Sequence, residues 1–157
     1  EIGTAIGFWA VALATYAGEI RLETIEKSEA LFNLALGFTR KAKLADRINL
    51  FLGDALELEL EKLSPPYDII FIDGAKQQYI EYFERYEKLL APEGVIVSDS
   101  LLFHGYVTNK KIIESRNLLG LVERIEAYNQ FLSKNKNFDT KFFCFGDGIS
   151  VSRRVKR

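Results

Sequence analysis

The strongest restriction on the fold is a repeating order: a short apolar run, a turn bearing an acid or glycine at its end, then a helical stretch. Residues 20–25, 48–52, 67–72 and 95–98 read as strands, with helical stretches predicted over 28–43, 55–62 and 77–90. A turn over Gly3 to Gly7 precedes a further helical stretch that ends near Tyr16. The apolar run from Tyr67 to Ile72 suits a strand covered on both faces, as in a parallel sheet. Strands joined through helices imply an α/β architecture with a mainly parallel, doubly wound sheet. The pattern then changes. After a helix over 117–133, residues 138–145 and 149–155 flank Gly146-Asp147-Gly148, the signal of an antiparallel hairpin that closes the sheet.

Residues 1–157 are expected to form a single domain, since that length suffices for one core and no repeat or Pro/Gly/Ser-rich linker divides it. The composition, 48% apolar and 27% charged, excludes a disordered or fibrous chain, and no window is long enough to span a bilayer. A single cysteine, Cys144, leaves no internal disulfide framework or Cys-rich zinc site, and with no signal peptide a reducing, cytoplasmic location is expected. The net charge of -1 gives no global attraction to nucleic acid. Local basic clusters occur at Arg40, Lys41 and Lys43, at Lys110 and Lys111, and at Arg153, Arg154, Lys156 and Arg157; each alone reads first as a solvated face. The chain opens on a glycine-rich turn with no strand before it and contains no methionine. An N-terminal segment and any modified methionines are therefore expected to be missing from it.

Ligands of open α/β sheets collect beyond the C-terminal ends of the strands. The turn Glu1-Ile2-Gly3-Thr4-Ala5-Ile6-Gly7 would let backbone pass close to a ligand, although such turns also serve packing and the glycine spacing is not that of a dinucleotide fingerprint. Glu26 ends the following strand, about 20 residues on, where an acid can bind a ribose diol. Turn and acid together point to an adenosyl ligand. Asp54, in Gly53-Asp54-Ala55-Leu56, either contacts adenine or caps the next helix. Asp73-Gly74-Ala75-Lys76 and Ser98-Asp99-Ser100 bring two carboxylates to adjacent strand ends, with Lys76 within reach. Oxygen ligands of this kind suit Mg²⁺, Mn²⁺ or Ca²⁺ and leave coordination positions open for substrate oxygens. Capping is the competing reading for both acids, but it leaves Lys76 unexplained.

Four ordered blocks, Glu1 to Phe8, Gly53 to Leu56, Phe71 to Lys76 with Tyr79, and Val97 to Gly105, resemble the metal-assisted S-adenosylmethionine-dependent O-methyltransferases of the catechol and caffeoyl-coenzyme A type. The resemblance continues through Arg124 to Asn129 and Gly146 to Ile149, and the bacterial tRNA 5-hydroxyuridine methyltransferases look the most similar subgroup. It implies a Rossmann-like class I methyltransferase fold. It also implies that Glu1, Gly3, Gly7, Glu26, Asp54, Ala55 and Asp73 lie against the cofactor, that Asp73, Asp99 and Ser100 hold a divalent metal such as Mg²⁺, and that Lys76 is catalytic. Ser100 departs from the family pattern, which has Asn there; a Ser hydroxyl ligates weakly or through water, so a reduced metal affinity is expected. A homodimer is expected by the same analogy.

In such a site the metal would lower the pKa of a substrate hydroxyl, a second vicinal oxygen would make the substrate a chelate, and Lys76 would take the proton or stabilise the oxyanion. Catechols and the 5-hydroxyl and 4-oxo groups of hydroxyuridine both present that oxygen pair. The leading expectation is a tRNA wobble-uridine O-methyltransferase, with Phe103, His104 and Tyr106 as candidates for contact with a flipped base. Packing aromatics and a solvent-facing loop histidine are the competing readings of those three. A small-molecule catechol or caffeoyl-coenzyme A-type enzyme is the alternative. A non-catalytic adenosyl-ligand- or RNA-binding module and a nicotinamide-dependent oxidoreductase are weaker ones.

Overall fold

The computed structural model describes residues 1–156; Arg157 of the third basic cluster lies outside the described residues. The chain divides into two compact units, residues 1–64 and the part beginning at Pro65.

In the first unit, α1 (Phe8–Tyr16), β1 (Leu22–Glu26), α2 (Glu29–Lys41) and β2 (Ile48–Leu52) follow one another, and β1 and β2 pair in parallel from Leu22 with Ile48 to Glu26 with Leu52. Ile2 bridges Ile25, which brings the glycine-rich turn to the end of β1. Ala10 and Ala14, one helical turn apart, are fully buried and pack with Leu44 and Ile48. The C-terminal end of α1 is held by Arg47, whose guanidinium donates to the carbonyls of Ala14 and Ala17. Its Nε donates to Ile20 O at 3.2 Å. Ser28 is the N-cap of α2, with Oγ accepting from Leu31 N, and Glu29 in the first turn and Arg40 and Lys41 in the last complement the helix dipole.

The helix predicted over 55–62 does not form. Asp54 Oδ1 accepts Leu56 N at 2.9 Å, Glu57 N and Leu58 N both turn back onto Asp54 O, and only a 3₁₀ turn follows at Leu60–Lys62. Residues 56–61 alternate apolar and charged positions with a period of two, which gives a helix no apolar face, and the side chain of Asp54 offers the backbone a competing turn.

In the second unit, β3 (Tyr67–Ile72), α3 (Tyr79–Tyr86), β4 (Leu90–Ser98), α4 (Arg116–Lys134), β5 (Phe138–Phe143) and β6 (Ile149–Arg154) form a mixed sheet in the order β3-β4-β6-β5, with α3 and α4 packed together. β3 and β4 run parallel; β6 is antiparallel to both β4 and β5. The helix predicted over 77–90 is shortened to α3 by 3₁₀ turns at Lys76–Gln78 and Glu87–Leu89, and β4 starts at Leu90 rather than at Val95. The ladder steps from Tyr67 with Leu90 to Ile69 with Val95, so a register shift absorbs Pro92-Glu93-Gly94 inside the strand. Tyr79, Phe83, Tyr128 and Phe138 are buried beside this sheet. Edge-on pairs at 5.2 Å (Tyr79 and Tyr128) and 5.0 Å (Phe83 and Phe138) link them, each such pair adding about 0.5–1.5 kcal/mol beyond its buried area. Among the described residues, no helix is long and apolar enough to cross a membrane.

Candidate active site

The residues singled out from the sequence fall into two groups, one on each unit. On the first unit, Gly3 N and Thr4 N both donate to Ile25 O, and the turn ends at Gly7, the N-cap of α1, with a left-handed φ of 84°. A Cβ at Gly7 would lie 3.1 Å from the Cβ of Ala35, so glycine is required there both by conformation and by the approach of α2. Glu26 is buried at the end of β1; its Oε2 accepts Ala5 N and its Oε1 accepts Ser28 N, each at 2.8 Å. The acid thus fixes the turn and the start of α2 at once. Glu1 joins this group through Oε2, which accepts the Thr24 hydroxyl at 2.5 Å, and Thr24 in turn meets Thr4 at 2.6 Å. Gly53 N donates to Glu26 O at 2.9 Å, so Asp54 and the buried Ala55 follow directly on the Glu26 strand end. Asp54 caps a turn and not a helix.

On the second unit, the register partners Ile72 and Ser98 place Asp73 and Asp99 side by side at the ends of β3 and β4, and Asp99 N donates to Ile72 O at 3.2 Å. Lys76 Nζ donates to Asp73 Oδ1 at 2.6 Å and to the hydroxyl of Tyr79 at 2.8 Å. Tyr79 in turn donates to the main-chain oxygen of Asp99 at 3.2 Å. Side chains three residues apart eclipse in a 3₁₀ turn, which is why Lys76 meets Tyr79 here. Burial first, then the charges of Asp73 and Asp99 among the neighbouring groups, holds the Tyr79 phenol far above its ordinary range, so it stays protonated and remains a donor. The sequence placed Tyr79 in a motif but gave it no contact; its spacing from Lys76 was the available signal.

The donor set fits a hard divalent cation. Lys76 Nζ and Ser100 N donate to Oδ1 of Asp73 and of Asp99, and among the described residues none donates to Oδ2 of either acid. Among the described residues no cluster of three or more His, Cys, Asp or Glu side chains is available to hold a metal, so two carboxylates would leave most of a coordination sphere to water, a hydroxyl such as that of Ser100, or substrate.

The segment after Asp99 carries the three substrate candidates. Ser100, Phe103, His104 and Gly105 all have left-handed backbone, with φ of 62°, 44°, 56° and 81°. Strained backbone of this kind persists only where its surroundings impose it. The β5–β6 turn does so: Leu101 N donates to Gly148 O at 3.0 Å, Leu102 N to Asp147 O at 2.7 Å, and His104 N to Asp147 Oδ1 at 2.5 Å. Phe103 lies 5.2 Å from His104 and 6.5 Å from Tyr106, ring centre to ring centre. His104 is 74% exposed, with Nδ1 3.8 Å from Asp147. Asp147, seen in the sequence only as a turn former, is therefore a clamp on this loop. A Cβ at Gly148 would meet Leu102 Cγ at 2.7 Å, and its φ is 86°. Gly148→Ala is accordingly expected to lower stability by about 2–4 kcal/mol, from backbone strain and overpacking together, read as a lower urea midpoint.

The basic clusters differ in availability. Arg40, Lys41 and Lys43 are exposed. Lys110 is paired with Glu126 at 2.6 Å, whereas Lys111 is exposed. Arg153 and Lys156 both pair with Glu93, and Arg154 donates to Glu87 O and lies over the Phe138 ring, so the described part of the third cluster braces its own unit.

Residues 1–155 match the O-methyltransferase family. The chain is similar to a crystal structure of a candidate caffeoyl-CoA O-methyltransferase from Staphylococcus aureus, with 34% identity and a TM-score of 0.93 over 98% of this chain and 74% of that one. It is also similar to an O-methyltransferase from Bacillus cereus solved in complex with S-adenosylhomocysteine (27% identity, TM-score 0.82, 98% of this chain and 72% of that one). A caffeoyl-CoA O-methyltransferase from Populus kitakamiensis is 28% identical over 99% of this chain and 68% of its own length. These structures share the Rossmann-like methyltransferase fold expected from the order of strands and helices. With the acids at the strand ends, the glycine turn and the match along nearly its whole length, the chain belongs to the O-methyltransferase family of S-adenosylmethionine-dependent enzymes.

Proposed function

We propose that the chain transfers a methyl group from S-adenosylmethionine to a hydroxyl that has a second oxygen beside it. The observation that carries this reading is the joined set Asp73, Lys76, Tyr79 and Asp99 at adjacent strand ends. Glu26 and the turn over residues 1–7 bind the donor, with Asp54 and Ala55 toward its adenine. The sulfonium supplies an activated methyl, so the protein's work is alignment of the acceptor oxygen. The hydroxyl first gives its proton to solvent water; the O–CH₃ bond then forms as the S–CH₃ bond breaks, and the sulfur leaves with the electron pair as S-adenosylhomocysteine. A divalent cation held by Asp73 and Asp99 would supply the charge that lowers the pKa of that hydroxyl. Lys76 has three N–H donors, of which two are used by Asp73 and Tyr79; the third is directed to the reacting oxygen, where it stabilises the oxyanion.

The acceptor we favour is 5-hydroxyuridine at the tRNA wobble position. The aromatic loop at Phe103, His104 and Tyr106 offers surfaces on which an unstacked base can lie, and exposed Lys111 offers a phosphate contact. A small phenol is the second reading, and the names of the plant and staphylococcal relatives support it. Labelled S-adenosylmethionine offered with hydroxyuridine-containing tRNA and with a catechol decides between them. Label in tRNA alone is the expected result; label in the catechol alone moves the protein to the small-molecule branch, and label in neither contradicts both.

Ser100 bears on the cation. Its left-handed backbone is one that Asn tolerates better than Ser, and an amide oxygen is a stronger ligand than a hydroxyl. Ser100→Asn is expected to tighten Mn²⁺ binding by about tenfold, within the range that partners of a metal site contribute. Calorimetric titration measures this, and unchanged affinity would remove residue 100 from the metal site.

A further inference from the structure

We infer that Tyr79 is the positioning residue for Lys76: its hydroxyl sets the direction of the ammonium donor that faces the reacting oxygen, and it does so without using a carboxylate oxygen of Asp73 or Asp99. The inference rests on the assignment of Lys76 to the reacting oxygen.

An ammonium held at one point turns freely about that bond, and its remaining donors sweep a cone. Held at two points it cannot turn, and the third N–H has one direction. Asp73 Oδ1 at 2.6 Å and the Tyr79 hydroxyl at 2.8 Å are those two points. The tyrosine is itself fixed. Its single proton goes to the main-chain oxygen of Asp99 at 3.2 Å, which turns a lone pair toward Lys76. Its ring is buried, 1% exposed, and packed edge-on against Tyr128 at 5.2 Å. The two anchors also differ in what a cation would do to them. A cation on Asp73 Oδ2 would draw on the same carboxylate charge that holds Lys76 at Oδ1, whereas the phenol oxygen bears no charge and keeps its lone pair for the lysine. Tyr128 provides an internal comparison, since it is an equally buried tyrosine whose hydroxyl meets Ser98 Oγ, at 2.6 Å, rather than the lysine.

The test uses Tyr79→Phe, which keeps the ring and removes the anchor, with Tyr128→Phe as the control of matched burial. Tyr79→Phe is expected to lower kcat by about 10- to 100-fold, the effect of a reacting group misplaced by about 1 Å. The KM for S-adenosylmethionine is expected to stay unchanged, and Tyr128→Phe to keep wild-type kcat. A second measurement needs neither cofactor nor substrate. In urea unfolding of Lys76→Met, Tyr79→Phe and the double variant, the midpoint shifts should be non-additive, whereas Lys76→Met and Tyr128→Phe should add. Wild-type kcat in Tyr79→Phe, or additive shifts for the Lys76 and Tyr79 pair, would overturn the inference. Wild-type protein inactive on both tRNA and catechol would instead overturn the proposed reaction, and the unfolding cycle then decides the Tyr79–Lys76 coupling by itself.

Discussion

Lys76→Ala is expected to lower kcat by about 10²- to 10⁴-fold, the range for a positioned group acting on the reacting oxygen, while binding of S-adenosylmethionine stays nearly intact. Lys76 is 17% exposed and donates to Asp73 and Tyr79, whereas Glu26 and the glycine turn are tied to one another by separate hydrogen bonds. An interaction used only as charge develops shows itself in kcat and not in cofactor affinity. Steady-state kinetics with a parallel calorimetric titration separate the two. Normal turnover would take Lys76 out of the reaction, and lost cofactor binding with residual turnover would give it a different role.

Glu26→Ala is expected to do the reverse and to cost stability as well. Both carboxylate oxygens accept backbone N–H groups, from Ala5 and Ser28, at 2.8 Å in a buried setting. Hydrogen bonds to a charged group are worth about 1.5–3 kcal/mol each, so the loss should be about 3 kcal/mol or more. Cofactor affinity should fall by about 10- to 100-fold, the equivalent of one charge-assisted bond to the ribose. Unfolding in urea reads the first quantity and titration with S-adenosylhomocysteine the second. A folded Glu26→Ala protein with normal affinity would contradict the ribose assignment and leave Glu26 as a brace for the turn.

How much of this was legible in the sequence depended on range. α2 was marked by Ser28 before its first turn and by basic residues in its last, all within a few positions. Asp73 and Asp99 were legible as neighbours because each follows the apolar run of its strand, and adjacent parallel strands end at the same level, Ile72 beside Ser98. The helix over 55–62 misled because leucines and glutamates are good helix formers, yet their alternation at Leu56, Leu58 and Leu60 has the wrong period, and Asp54 closes a turn first. The start of β4 was hidden by Pro92-Glu93-Gly94, which reads as a turn but lies within the strand at a register shift. Asp147 could not have been found, since it lies 43 residues from the His104 amide it accepts and looks like any acid in a hairpin turn. The third basic cluster was read as a solvated face; its described members instead meet partners 60 or more residues away in sequence, Arg153 and Lys156 at Glu93 and Arg154 at Glu87 O, which a local charge pattern does not show.

The most direct measurement is the rate of methyl transfer from labelled S-adenosylmethionine, with hydroxyuridine-containing tRNA and a catechol both present, after chelator treatment and again as Mg²⁺ is restored. The account predicts that transfer to an acceptor oxygen stops with chelator and returns with Mg²⁺. Transfer at the same rate throughout would contradict the assignment of Asp73 and Asp99 to a cation and leave Lys76 to act on the hydroxyl without it.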